Sequence, residues 1–338
     1  MAFITGASGL LGSHLVYSLL SNGEKVYALK RKNSNIEIVK QCLSYYSDNY
    51  LALFNSIEWI EGDILDFYLM DEMAKSHKEF YHTAAFVSFN KQDRQKILDI
   101  NINGTINIVN ACKEHNSRLV YSSSIASLGR CLSNNATTEN DLRDNNYKSS
   151  IYSKSKFLAE QEVWRGIAEG LDAVMVNPSV IIGPGDWNKS STQLFKTMNN
   201  GLKFYTDGSN GYVDVRDVAE VMFRLMKSRI NAERYILSSK DVSYKKLFTE
   251  IANVLDKKPP KYKAGKILSG MGWISMAVWG IITNSTPLIT KETANSANSH
   301  YSYSSEKIRN TLNYSFIPIE ESIIHTGKIF LDSINHQK

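Results

Sequence analysis

The segment Thr5–Gly12 reads T-G-A-S-G-L-L-G and sets three glycines between a short apolar run, Ala2–Thr5, and a helix-length segment, Leu11–Ser21. Glycine at Gly6 permits a sharp turn off a strand, and at Gly9 it lets the backbone approach a pyrophosphate with no Cβ in the way. At Gly12 it permits close packing of helix on strand. The helix that follows presents unpaired N–H groups and the positive end of its dipole to phosphate. A glycine triplet alone also fits an ordinary strand-to-helix turn. The strand–turn–helix context is what gives it weight. Gly6, Ser8, Gly9, Leu10, Leu11 and Gly12 are therefore the candidate phosphate-binding residues.

The same rhythm continues. Lys25–Leu29, Ile57–Glu61, Phe80–His82, Leu119–Ser122 and Ala173–Asn177 are short runs rich in β-branched and aromatic residues. Such runs fit strands of a parallel sheet buried on both faces. Between them lie helix-length segments: Ile36–Phe54, Ile97–His115 and Tyr152–Glu169. Strand and helix in alternation predict an α/β chain with a Rossmann-type, doubly wound parallel sheet. At 338 residues the chain has room for about two structural units. After Pro178 the pattern changes: Gly183-Pro184-Gly185 marks a loop, then Asp214–Met226 reads as helix, Arg234–Ser238 as strand and Tyr244–Leu255 as helix. Residues 1–178 are expected to form a dinucleotide-binding unit, with a return of the chain near 212–240. Residues 179–338 are expected to form mainly a smaller α/β substrate-binding unit.

Several classes are disfavoured by composition. A net charge of +5 with no Lys/Arg stripe interleaved with aromatics does not point to nucleic acid. Cys42, Cys112 and Cys131 lie far apart with no C-x-x-C pair, and the seven histidines form no ligand-spaced cluster, so neither a disulfide framework nor a metal site is expected. The start, M-A-F-I-T-G, has no basic n-region and no long apolar h-region, so a cytoplasmic setting is the expectation. One stretch stands apart. Ile267–Ile282 carries no charge and follows Lys257, Lys258, Lys261, Lys263 and Lys266. At about 1.5 Å per residue it reaches roughly 24 Å, short of a bilayer crossing. It reads as a buried helix over a substrate cleft, with peripheral membrane contact as the alternative.

The second strand ends A-L-K-R-K, Ala28 to Lys32. In dinucleotide folds an acid near this point takes the ribose 2′-hydroxyl. Here Lys30, Arg31 and Lys32 stand instead, and a guanidinium grips a 2′-phosphate in a fork. Arg31 and Lys32 thus favour NADP(H) over NAD(H), although three cations also suit a solvated loop. Asp63, with Ile64 beside it, is placed to meet the adenine amino group, or else to cap a helix.

Tyr152 and Lys156 form Y-x-x-x-K, which sets both on one helix face. An ammonium beside a phenol lowers the phenol's pKa and fits it for proton transfer. Upstream, the fifth strand runs into Y-S-S-S-I-A-S, Tyr121 to Ser127, placing serines where ligands bind in open α/β sheets. Ser124 is the candidate to hydrogen-bond a substrate carbonyl, with Ser123 next.

With these residues in view, the chain resembles an extended short-chain dehydrogenase/reductase of the NAD(P)-dependent epimerase/dehydratase group, nearest to dihydroflavonol-4-reductase-like members. The marks are T-G-A-S-G-L-L-G, G-D-I-L-D at Gly62–Asp66, H-T-A-A at His82–Ala85, N-I-N-G-T at Asn101–Thr105, Y-S-S-S, Y-x-x-x-K, N-P-S-V-I-I-G-P-G-D at Asn177–Asp186 and Y-V-D-V-R-D-V-A at Tyr212–Ala219. The resemblance implies that Tyr152 is the general acid/base. It implies that Lys156 holds the nicotinamide ribose and lowers the tyrosine's pKa, and that Ser124 orients the carbonyl. Thr83, Ala84 and Ala85 would line the cofactor, Asn101 would brace the site, and Pro178, Ser179 and Val180 would pass under the nicotinamide. A homodimer is compatible with it.

Two activities compete under that resemblance. One is NADP(H)-dependent reduction of a carbonyl, with a small-molecule substrate. The other is epimerase or dehydratase action on a nucleotide sugar. The basic end of the second strand favours the first. So does Asn210, which stands where sugar epimerases usually carry an arginine for the diphosphate, although Lys203 or Arg216 could substitute. Arg216 is expected to pair with Asp214 or Asp217. Trp187, Phe195, Phe204, Tyr205, Trp273 and Trp279 give the later part an aromatic and apolar character. Trp187 and Gln193 are the candidate substrate contacts.

Overall fold

A computed structural model describes residues 1–88, 90–129, 135–141, 143, 149–264 and 298–335. Ile267–Ile282, with Trp273 and Trp279, and Cys131 lie outside the described residues. The chain alternates as its apolar pattern dictates: β1 (Ala2–Thr5), α1 (Leu10–Ser21), β2 (Val26–Lys30), α2 (Glu37–Ser44), α3 (Tyr50–Asn55), β3 (Glu58–Glu61), α4 (Phe67–Ser76) and β4 (Glu79–His82). There follow α5 (Arg94–Leu98), a π-helical turn at Asp99–Asn103, α6 (Gly104–Glu114), β5 (Arg118–Ser122), α7 (Ile125–Leu128), α8 (Ile151–Ala168) and β6 (Ala173–Pro178).

The later part contains β7 (Val180–Ile182), α9 (Gln193–Asn199), β8 (Phe204–Tyr205), β9 (Ser209–Asp214), α10 (Val215–Lys227), β10 (Glu233–Leu237), β11 (Lys240–Ser243), α11 (Tyr244–Val254) and β12 (Tyr262–Lys263). Helices α12 (Glu306–Leu312) and α13 (Ile319–Asn335) complete it.

Seven parallel strands form the central sheet in the order β10-β6-β5-β4-β1-β2-β3. Both faces are covered, which is why β1 and β6 are buried at every position. On one face Leu15, Val16 and Leu19 of α1 pack with Val218, Val221 and Met222 of α10. On the other, Met70 of α4, Ile108 and Val109 of α6, and Ala159 and Val163 of α8 meet Phe3, Phe80 and Met175. Strand order reverses between β1 and β4, and the crevice beyond the carboxyl ends of such a pair is where α/β sheets bind ligands. A second sheet, β11-β9-β7, carries a separate core of Phe195, Met198, Tyr212, Leu247, Ile251, Ile323 and Phe330.

Two expectations of a single helix need correction. Ile36–Phe54 is two helices, parted at Tyr45–Asn49, where the Asn49 N–H turns to the Ser47 hydroxyl instead of a helical carbonyl. Ile97–His115 is interrupted by the π turn, which adds a residue that an apolar periodicity does not reveal. Among the described residues no helix is long and apolar enough to cross a membrane, and no group of His, Cys, Asp or Glu has the makings of a metal site.

Candidate active site

The glycine turn leaves β1 at the switch point. Gly6 has φ +79°, and a Cβ there would lie 2.6 Å from the Ala84 nitrogen, so turn and β4 exit are in backbone contact. The Thr83 hydroxyl donates to the Thr5 carbonyl at 2.7 Å and fastens the two strand ends. Helix α1 starts at Gly9 without a side-chain cap. Its opening N–H groups, from Leu10, Leu11 and Gly12, therefore have no cap to satisfy them and can serve an anion. These features fit a dinucleotide pyrophosphate. Above the turn, His14 Nε2 meets the Pro184 carbonyl at 2.9 Å, and Leu10 packs beneath Gly185.

Around the expected adenine and ribose end, β2 finishes at Lys30, and Arg31 and Lys32 follow as exposed residues. The Arg31 N–H donates to the Ser34 hydroxyl at 3.0 Å. Asp63 accepts from the Leu65 N–H at 3.0 Å, and the cap of α4 is Asp66, not Asp63. The Ile64 carbonyl accepts from Asn107 at 3.0 Å.

Ser124, Tyr152 and Lys156 converge beyond the end of β5. Ser124 caps α7, accepting from the Ala126 N–H at 3.1 Å, and its hydroxyl hydrogen-bonds Tyr152. Burial pushes the Tyr152 phenol up, and the Ser124 contact pulls it back. The Lys156 ammonium donates to the Tyr121 hydroxyl at 3.0 Å and to the Ser122 carbonyl at 2.8 Å. Burial pushes Lys156 itself down to about 7, opposed by Glu160.

Asn101 is buried at the π turn. Its side chain accepts from the Phe86 N–H at 2.7 Å and donates to the Phe86 carbonyl at 3.1 Å and to Ser155 at 2.9 Å. It clamps the loop after β4 to α8, one residue from Lys156. Pro178 ends β6, and Val180 opens β7, paired with Tyr212. Trp187 packs edge-on against Phe195 and Phe330, with centroids at 6.2 and 5.0 Å, within the second core. Gln193 donates to the Asn188 carbonyl. Arg216 closes on Asp214 through Nε at 2.9 Å and Nη2 at 2.7 Å, while Asp217 accepts from Tyr314 and the Ile317 N–H. Asn210 accepts from the Gly211 N–H.

Sequence reasoning missed a buried platform under Ser124. Glu160 Oε2 accepts from Ser123, Ser127 and Asn177 at 2.6, 2.6 and 2.7 Å, and Oε1 accepts from Arg234 of β10 at 2.8 Å. Ser123 is thereby spent on Glu160, which leaves Ser124 as the serine with a hydroxyl turned to Tyr152. A signal existed: Glu160 continues the stripe of Tyr152 and Lys156 at the same four-residue spacing.

Two buried histidines make the fold acid-sensitive. Burial pushes His14 from 6.5 to about 4, against its bond to the Pro184 carbonyl, and pushes His82 to about 3, aided by the Lys156 charge. Both are held neutral, so their contribution is complete above pH 6.5 and is lost as pH falls towards these values. At pH 5 each should cost about 2 kcal/mol. Urea midpoints at pH 7.5 and 5.0 are expected to differ accordingly, and equal midpoints would contradict this account.

Comparison with known proteins agrees with this architecture. Residues 2–237 match the NAD dependent epimerase/dehydratase family. A putative dihydroflavonol 4-reductase from Synechocystis sp. is 30% identical over 273 residues, covering 77% of this chain and 74% of that protein. Sterol demethylase protein B from Methylococcus capsulatus is 29% identical over 241 residues, 70% and 68% of the two chains. The crystal structure of gox2253 superposes with a TM-score of 0.81 at 25% identity and 98% coverage of both chains. The UDP-glucose 4-epimerase of Thermotoga maritima shares the fold at 17% identity, with a TM-score of 0.77 and 98% and 99% coverage. The switch-point turn, the parallel sheet and the match through the last strand of that sheet make this chain an NAD(P)-dependent enzyme that belongs to the NAD dependent epimerase/dehydratase family of extended short-chain dehydrogenases/reductases.

Proposed function

We propose that the chain is an NADP(H)-dependent oxidoreductase that reduces a ketone or aldehyde to an alcohol, with Ser124, Tyr152 and Lys156 as its catalytic set. The observation that carries this reading is the end of β2, where Arg31 and Lys32 stand exposed and no carboxylate occupies the place that would take a free 2′-hydroxyl. A 2′-phosphate is welcome there and an acid would repel it. Relatives named as reductases support the chemistry, among them one from Candida albicans named as a putative NADPH-dependent methylglyoxal reductase, 30% identical over 273 residues.

When bound, the dinucleotide supplies hydride to the carbonyl carbon. Ser124 and Tyr152, hydrogen-bonded to each other, direct two hydroxyls at the carbonyl oxygen as negative charge gathers on it. Burial keeps the Tyr152 phenol protonated at neutral pH, which suits it to give a proton in the reducing direction. Lys156 holds positive charge near the phenolate left behind and lowers the cost of forming it. Asn101 holds the α8 end of the site to the loop at Phe86.

The test is a titration of cofactor-free protein with NADPH and with NADH, read by fluorescence or calorimetry. NADPH is expected to bind more tightly, and Arg31→Ala to weaken it by ~10–100-fold, as befits a lost charge-assisted hydrogen bond, with little effect on NADH. A preference for NADH, or NAD that co-purifies and resists dialysis, would contradict the reading and direct the substrate search to nucleotide sugars.

A further inference from the structure

Lys156 is almost sealed from water, and two of its ammonium protons go to atoms of one strand, β5: the Tyr121 hydroxyl and the Ser122 carbonyl. The carbonyl belongs to any sequence. The Tyr121 hydroxyl does not, and it has a definite onward partner. It hydrogen-bonds Thr105, whose own hydroxyl donates to the Asn101 carbonyl at 2.7 Å. Thr105 Oγ1 also lies 3.1 Å from His82 Nε2, and His82 Nδ1 lies 2.7 Å from the Thr5 hydroxyl.

One set of directions gives every hydrogen shared between these side chains an acceptor. Lys156 donates to Tyr121, Tyr121 to Thr105, and Thr105 to the Asn101 carbonyl. His82, neutral in its interior setting, donates from Nε2 to Thr105 and accepts from Thr5 at Nδ1. Thr105 then accepts twice and donates once, which fills its capacity. The chain stops at a backbone carbonyl on one branch and at Thr5, which is fully buried, on the other. Tyr121, His82 and Thr105 are all buried too, and the Tyr121 ring stacks on His82 at 5.3 Å. An array that runs from Lys156 into the interior without reaching water is no exit path for protons. It is a brace.

We propose that Tyr121 is a positioning residue for Lys156: its hydroxyl holds the ammonium in register with the Ser124–Tyr152 pair and transmits the constraint through Thr105 to the π turn at Asn101. The proposal rests on the catalytic reading of Lys156 given above. It also explains the place of the π turn, which brings the Asn101 side chain to Phe86 and Ser155 while its carbonyl remains open to Thr105.

The charged and titratable groups facing Lys156 are Tyr152 and Glu160 on its own helix, Tyr121 from β5 and His82 from β4, with Arg234 of β10 behind Glu160. Removing the Tyr121 hydroxyl takes away an acceptor that favours the charged amine and leaves the other groups in place. In full-length protein carrying 13Cε-labelled lysine, with the resonance assigned by its loss in Lys156→Met, the Lys156 titration midpoint should fall by on the order of 1 unit in Tyr121→Phe. Thr105→Val should move it the same way by less, and Thr105→Ser should restore it. An unchanged or raised midpoint in Tyr121→Phe overturns the proposal, as does a shift that Thr105→Val does not share. The readout needs neither substrate nor turnover, so it separates failure of this proposal from failure of the catalytic reading, which turnover of Tyr152 variants decides.

Discussion

Reduction of a carbonyl substrate by NADPH should fall by ~10²–10⁴-fold when Tyr152 is replaced by phenylalanine, the range lost with a general acid. The ring and its burial survive the change. What disappears is the hydroxyl that Ser124 engages. NADPH affinity should therefore stay within a few-fold of the parent, which distinguishes loss of proton donation from collapse of the site. Turnover close to that of the parent would remove Tyr152 from the mechanism.

Substitutions in the glycine turn should separate two kinds of glycine. In Gly12→Ala the new methyl would lie 2.0 Å from the Gly6 oxygen, 2.7 Å from its carbonyl carbon and 2.9 Å from the Ala7 Cα. All three are backbone atoms, so no side-chain rotation relieves the clash. Alanine normally stabilises a helix relative to glycine by roughly 1 kcal/mol. Here the sign should reverse, with destabilisation of ~1–3 kcal/mol or more and loss of dinucleotide binding as α1 moves off the turn. In Gly9→Ala the methyl meets only the Gly6 oxygen at 3.2 Å. That variant should melt near the parent yet bind NADPH poorly, because the methyl would stand where the pyrophosphate approaches. Thermal melts alongside NADPH titrations read both effects. Normal binding by Gly9→Ala would mean that the turn does not hold phosphate.

The central sheet is legible in the sequence because strands buried on both faces leave short unbroken apolar runs. Ala173–Pro178 is the clearest, with every residue buried. Edge strand β3 is less plain, since its E-W-I-E carries charge at both ends. The break between α2 and α3 and the π turn were hidden for different reasons. Ser47 and Asn49 are tolerable in a helix by periodicity, and only the hydrogen bond they make between α2 and α3 marks the break. A one-residue insertion in a helical turn leaves no mark on spacing.

At the candidate site, the convergence of Ser124, Tyr152 and Lys156 was legible because local spacing and strand-end position mark them. Partners joined across the fold carry no such mark. Arg234 reaches Glu160 over 74 residues of sequence, and His82 reaches Thr105 over 23. The direction of the Lys156 ammonium was unreadable for the same reason: it depends on Tyr121, a residue that strand propensity alone explains.

The place of β10 at the end of the central sheet bears on how the chain is made. A ribosome that has delivered residues up to Pro178 has supplied six of the seven strands, but the partner of β6 does not emerge until Glu233–Leu237. At ~5–20 residues per second, that interval lasts on the order of 3–12 s. Throughout it an apolar strand, buried at every position in the finished protein, presents bare N–H and C=O groups to the surroundings. The residues that fill the interval include β9 and α10, and α10 later covers the sheet beside α1. Most of the central sheet is thus an early product and its edge seal a late one, so the nascent chain must be kept from pairing with a neighbour's β6 until β10 arrives.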